Sequence, residues 1–352
     1  MQPLGLSTLA DSQTVSRPAA LFLAWAPPSH TRRSELMARR LGIPLRRVHV
    51  LPMKPYLAPL RYAGQSALTL RLLFRERPRL VFVQNPPVFA PLLAWLYCAL
   101  NGGAGLIIDS HTDALQSPLW RWSLPLHRFL SRRARVTLVT NDFLRAQIAA
   151  WGAQAQVVVD VPSDLPPGKP YPLTHPFNIA MVSSFAPDEP LDEVVEVARG
   201  LPEVGFYVTG NPVQGLKRLP VHRPPNLHLT GFLTDDNYYG LLRSVQAVMA
   251  LTTEDHTMQR GACEAVWLGQ PIVTSDWPVL RQAFHAGTVH VDNTVGGIRA
   301  GVLQMQARYP QLAQEVLQLQ DERRRQWQQA TLQLAPQLAM AGRDPGASAP
   351  GA

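Results

Sequence analysis

Cysteine and lysine are both scarce in this 352-residue chain. The 2 cysteines, Cys98 and Cys263, have no CxxC partner, so no disulfide framework, zinc motif or redox pair is encoded. Two buried thiols suit a reducing cytoplasm, the location expected on these grounds. The lysines are Lys54, Lys169 and Lys217, and none lies in a motif that would hold pyridoxal phosphate. Charged residues reach only 16%, which argues against widespread disorder. No G-x-S-x-G, H-E-x-x-H, Walker loop or D-x-D is present. Serine-hydrolase, zinc-protease and P-loop chemistry therefore lack their sequence marks. Residues 1–19 lack the basic start and apolar core of a signal peptide and read as a flexible leader. The most apolar stretch, Val88 to Leu100, is shorter than the ~20 residues a bilayer span needs, and a buried helix fits it better.

What the chain has in excess is arginine and proline. Lys+Arg 33 against Asp+Glu 25 gives a formal net charge of +8. A basic surface attracts nucleic acid, anionic membrane or anionic small molecules, and charge alone does not choose among them. Arg32–Arg33, Arg39–Arg40, Arg46–Arg47 and Arg132–Arg133 are paired, which solvated helix faces also explain. No basic-aromatic recognition motif appears, so nucleic acid is not an expected partner.

Short apolar runs alternate with helical periodicity. Strands are expected at 21–25, 48–50, 80–83, 106–109, 136–139 and 157–159, with helices between them. Prolines 162, 166, 167, 170, 172 and 176 then forbid helix or central strand. The alternation restarts at 178–182 and runs to 289–291. Strands alternating with helices in both halves predict an α/β chain with two parallel, doubly wound Rossmann-like domains facing across a cleft. The expected division is an N-terminal Rossmann-like domain over 20–160, a linker over 161–176 and a C-terminal Rossmann-like domain over 177–300. Helices over 301–338 would cross back, and 339–352 would be a disordered tail. Ligands of such sheets bind beyond the carboxyl ends of the strands.

One segment is specific. Glu254 to Arg281 contains Gly261, Glu264, Ala265, Gly269, Pro271, Ile272, Val273, Ser275 and Asp276 in the pattern G-x-x-E-A-x-x-x-G-x-P-[IV]-V-x-[ST]-D. This resembles the donor-site segment of retaining GT-B glycosyltransferases of the family 4 type. Val208–Gly210 and Asn226–Phe232 agree with it. In the first half, Val83–Pro87 and Leu106–His111 resemble the mannosyltransferases that extend lipid-linked chitobiose. The resemblance is clear in the second half and patchy in the first. Three departures stand out: the family's first glutamate falls at His256, no basic residue occurs in Ser183–Glu189, and Pro27-Pro28-Ser29 replaces the usual glycines.

The resemblance implies a hexosyltransferase that moves a sugar from a nucleotide-sugar donor to a glycan or lipid-linked acceptor, in polysaccharide or glycolipid biosynthesis. It implies a retaining, metal-independent reaction with no cofactor beyond the donor itself. Arg260 and Gly261 would meet the diphosphate at a helix start, where free N–H groups and the dipole favour an anion. Glu264 would accept from the ribose, with Gly210 and Thr257 also on the donor side. His256 would reach the sugar hydroxyls. His111, with Asp109 beside it, ends a strand and would approach the transferred sugar. Arg32, Arg33 and Asn85 would serve the acceptor. Each also has a plainer reading as a surface, capping or structural residue. Trp120 to Arg133 mixes aromatics with arginine and suits peripheral contact with an anionic inner membrane face, and equally an amphipathic core helix with a basic outer side. Two other readings stay open: a sugar-nucleotide epimerase on the same fold, and a degenerate transferase that binds rather than transfers.

Overall fold

The computed structural model describes residues 18–27, 31–52 and 54–342. Residues 1–17 of the leader expected over 1–19, residues 28 and 29 of the loop after the first strand, and residues 343–352 of the tail expected over 339–352 lie outside the described residues.

Six parallel strands form the first sheet: β1 (Ala20–Ala24), β2 (Leu45–Arg47), β3 (Leu80–Asn85), β4 (Gly105–Ser110), β5 (Val136–Val139) and β6 (Ala155–Val157). Their order is β2-β1-β3-β4-β5-β6. The interior strands are wholly buried, which is why they read as continuous apolar runs rather than alternations. The helices are α1 (Arg32–Leu41), α2 (Ala58–Glu76), α3 (Phe89–Leu100), the single turn α4 (Asp113–Gln116), α5 (Leu124–Arg133) and α6 (Asp142–Ala150). α2, α3 and α5 pack on one face through Leu73, Tyr97 and Leu130. α1 covers the other, through Leu36 and Met37.

The second sheet repeats the plan with β7 (Phe177–Met181), β8 (Val204–Thr209), β9 (Leu227–Gly231), β10 (Ala247–Ala250), β11 (Ile272–Ser275) and β12 (Thr288–Val291), ordered β12-β11-β10-β7-β8-β9. Its helices are α7 (Leu191–Gly200), α8 (Pro212–Arg218), α9 (Asp235–Ser244), α10 (Arg260–Leu268) and α11 (Pro278–Ala283). α12 (Val295–Gly342) follows. It packs Ile298, Val302 and Met305 into the second domain and Ala330, Leu334 and Ala341 into the first. Residues 158–176 between the sheets have no regular structure.

Several boundaries differ from expectation. The second strand lies at 45–47, not 48–50. Its arginines disguise it: as an edge strand it needs no apolar faces, and Arg46 and Arg47 turn outward to Glu76 and Glu35. α8 was not anticipated, although Asn211 caps it, with its side chain accepting from Val213 N at 2.9 Å, and Pro212 opens it. α12 starts before 301 and continues past 338, because Pro310 and Pro336 sit within it rather than ending it. The stretch from Trp120 to Arg133 is not one helix: a 3-10 turn over Pro118–Ser123 leads into α5.

Candidate functional site

The carboxyl ends of both sheets open onto the cleft between the domains. In the second domain the pivotal element is α10. Its first turn follows the loop after β10, and Gly269 in the left-handed region ends it. A Cβ on Gly261 would come within 2.6 Å of Val182 Cβ. The glycine therefore lets the helix start lie against the end of β7, a packing role beside the phosphate-approach role read from sequence.

One turn into α10, Glu264 is buried, and each of its carboxylate oxygens accepts one hydrogen bond. Tyr238 Oη donates to its Oε2 at 2.6 Å and Arg260 Nε to its Oε1 at 3.0 Å. Burial, then the Glu264 charge, pushes the Tyr238 phenol well up, so it stays a donor. Arg260 is thus tied at Nε, while its side chain remains 58% exposed. Burial and then the Glu264 charge push the Tyr239 phenol up, opposed by Arg32 of α1 across the cleft. Arg32 makes no ion pair or hydrogen bond among the described residues.

The loop after β7, which lacks a basic residue, closes on a carboxylate. Glu189 accepts from Ser183 Oγ, from Ser184 N and Oγ at 2.8 Å each, and from Phe185 N at 3.1 Å. Gly210 packs against this loop at φ 125°, and a Cβ there would meet Ser183 O at 2.5 Å. Phe185 and His256 take φ of 59° and 61°. Two non-glycine residues in the left-handed region, one on each cleft loop, mark strain held by the surrounding packing.

His256 does not stand free over the donor side. Its ring stacks on Phe143 of α6, centroids 3.9 Å apart and planes at 4°. Its Nε2 lies 3.3 Å from Asp255 Oδ2, and its buried Nδ1 has no partner. Thr257 Oγ1 donates to Asp255 O at 3.4 Å. Two more bridges join the domains: Trp267 Nε1 to Asp160 Oδ2 at 2.5 Å and Gln282 Nε2 to Asp142 Oδ2 at 2.9 Å. Burial raises the Asp160 carboxyl, opposed by the Val161 N–H and the Trp267 indole.

In the first domain β4 delivers Asp109 to the cleft end. Its carboxylate has no exposed surface. Arg33 Nε lies 3.2 Å from Oδ1 and His111 Nε2 3.3 Å from Oδ2. Burial pushes this carboxyl up, but Arg33 and His111 outweigh it and hold it at about 2. Arg33 also donates to Val158 O at 2.8 Å. The two neighbouring arginines expected on the acceptor side therefore differ: Arg33 is bound into the fold and Arg32 is not. On the adjacent strand, Asn85 is buried with both side-chain amide atoms unpartnered, while its main-chain carbonyl accepts from His111 N at 2.9 Å. The structure thus gathers Asn85, Asp109 and His111 at one strand end, and Arg260, Gly261 and Glu264 at another. Sequence reading missed Tyr238, Phe143 and Glu189. A tyrosine pair after the Thr234 cap was the one visible signal. Among the described residues no three His, Cys, Asp or Glu side chains form a metal-binding group.

The profile described as Glycosyltransferase Family 4 matches residues 22–162, the first domain. The clearer family signal thus lies in the half where the motif resemblance was patchy. The human chitobiosyldiphosphodolichol beta-mannosyltransferase is 23% identical over 211 residues, covering 56% of this chain. The chain spans only 44% of that relative's length. Sucrose-phosphate synthase from Thermosynechococcus elongatus superposes with TM-score 0.68 at 11% identity, covering 91% of this chain and 98% of its own. HepE of Anabaena, in complex with UDP and glucose, gives TM-score 0.64 at 14% identity, with 92% and 99% covered. The fold is GT-B. A UDP-N-acetylglucosamine 2-epimerase shares it at TM-score 0.56 and 11% identity, with 84% and 90% covered.

Proposed function

We propose that this GT-B chain is a retaining, metal-independent glycosyltransferase that moves a sugar from a nucleotide sugar to a glycan or lipid-linked acceptor. The observation that carries the reading is the open start of α10 with buried Glu264 one turn in, at the carboxyl end of the second sheet. In this reading the diphosphate lies against the first N–H groups of α10, with Arg260 and Gly210 beside it. Glu264 accepts from the ribose hydroxyls. A carboxylate has about four lone-pair sites, so Tyr238 and Arg260 leave room for them. Thr257 and His256 meet the sugar from the second domain, and His111, oriented by Asp109, meets it from the first. The acceptor enters past Arg32 and Asn85.

The chemistry needs no protein nucleophile. The acceptor oxygen bonds to the anomeric carbon as the bond from that carbon to the phosphate oxygen breaks. The acceptor proton passes to the departing diphosphate on the same face. The protein positions both partners and stabilises developing charge.

The test is incubation with a panel of nucleotide sugars and acceptors, following nucleoside-diphosphate release and the anomeric configuration of the product by NMR. A glycoside of retained configuration is expected. An isomerised nucleotide sugar with no release would mean an epimerase. Binding without turnover would mean a degenerate transferase, a reading favoured by His256 docked on Phe143 and by Glu189 filling the loop where a cation is usual.

A further inference from the structure

We infer that the outer face of the α2–α3–α5 layer is a docking surface for an anionic lipid bilayer. This inference concerns a different surface from the cleft and stands or falls without the donor reading. Three helices cover one face of the first sheet, and their inner sides form its core. The outer side of this layer, helices and the 3-10 turns leading into α2 and α5 together, exposes large apolar residues. Tyr56 is 71% exposed, Leu60 67%, Leu100 65%, Leu119 70% and Trp122 59%. Isolated exposed leucines need no explanation, but several large apolar side chains, a tyrosine and a tryptophan among them, on one layer do.

The charge of the same face is one-sided. Between Lys54 and Arg133 the exposed cations outnumber the exposed acids eight to one, the acid being Asp113. Glu76 and Asp109, the other acids of that stretch, are buried; Glu76 pairs with Arg46 and with Arg75, one of the eight, and Asp109 with Arg33. At the end of α5, Arg128, Arg132 and Arg133 line an open groove with Pro125 and Phe129. The Arg133 guanidinium lies 5.2 Å from the Phe129 ring centroid, an apolar body with a cationic tip. Exposed apolar side chains among arginines, with almost no compensating acid, complement the negative headgroup region and the acyl boundary beneath it. No helix among the described residues is long and apolar enough to cross a membrane, so contact is at the surface. The apolar set also reaches the cleft: Trp122 packs on Phe89, centroids 5.9 Å apart, at the start of the helix that follows Asn85. A docked domain would present its cleft mouth to the lipid headgroups.

The experiment is flotation of the full chain with vesicles of phosphatidylcholine alone and of phosphatidylcholine mixed with phosphatidylglycerol, without donor. Flotation with the mixed vesicles only, reversed by salt, is expected. Arg128→Gln/Arg132→Gln/Arg133→Gln should weaken it on the order of 100-fold, about five-fold for each charge. Leu119→Ser/Trp122→Ser should weaken it about ten-fold while leaving the salt dependence. Arg324→Gln/Arg325→Gln, on exposed positions of α12, should leave it unchanged. Circular dichroism checks folding of each variant, and Arg128→Gln alone replaces the triple variant if that one unfolds. No flotation with anionic vesicles, or equal flotation by the folded arginine variants, overturns the inference. So does a concentration-dependent dimer, without flotation, that Leu119→Ser/Trp122→Ser abolishes, since a second copy would then own the face.

Discussion

Asp109 and Glu264 stand on opposite sides of one cleft and are held in different ways. Glu264 has its partners close at hand: Arg260 one helical turn earlier and Tyr238 on the preceding helix. Asp109 is held by Arg33, from a helix 76 residues away in sequence, which in turn grips the start of the linker at Val158. The second-domain carboxylate is therefore a local assembly on a preformed helix start. The first-domain carboxylate is a tertiary one, joined to the orientation of α1 and the linker. Removing a partner of Glu264 should perturb ligand contacts, whereas disturbing Asp109 should perturb the fold as well.

The sharpest test is turnover. His111→Ala should lower the turnover number on the order of 100- to 1000-fold, with nucleotide-diphosphate affinity near wild type, since an interaction made in the transition state need not affect donor binding. Calorimetry with the nucleoside diphosphate separates the two. Equal loss of both would make His111 part of Asp109's structural network only.

Next is acid stability. The folded-state carboxyl of Asp109 is held at about 2, against 3.8 for an ordinary aspartate. Its contribution is complete above the unfolded value and is lost as pH falls from about 4 to about 2, amounting to about 2 kcal/mol. Burial also holds His127 at about 4 against 6.5, so its neutral form adds stability that fades as pH falls below about 6.5. Denaturant titrations across pH should show both steps. Asp109→Asn should erase the lower one, and a lower step of unchanged size would break the contrast with Glu264.

Arg260→Ala should weaken nucleoside-diphosphate affinity about ten-fold, roughly one charge-assisted contact, with little change in melting temperature. A melting shift as large as that of Asp109→Asn would show that the second site is no more local than the first. The smallest effect should come from Phe143→Ala, which unstacks His256. A loss of about 1 kcal/mol or less is expected, seen as faster limited proteolysis of the loop at 254–258. Unchanged proteolysis would remove that stack from the closure of the cleft.

Much of this was legible without coordinates. The alternation of strand and helix gave two parallel sheets, because buried parallel strands must be apolar on both faces. The G-x-x-E motif located α10 and Glu264, since helix caps and i,i+4 spacing are local properties. The edge strand at 45–47 escaped notice because charge is tolerated there, and the strand's only register comes from β1 through pairs such as Phe22 with Leu45. His256 was read as a donor-side group, and no local pattern connects it to Phe143, 113 positions earlier in sequence.

Composition and periodicity determined the two layered sheets, the proline-rich passage between them and the helix start in the second, since each follows from short-range backbone and burial preferences. The pairing of Arg33 rather than Arg32 with Asp109, the capture of Glu189 by the loop after β7, and the docking of His256 across the cleft were decided only by the tertiary structure. Adjacent arginines are equivalent in sequence, and only the direction of α1 against β4 sends one guanidinium inward and leaves the other facing the cleft.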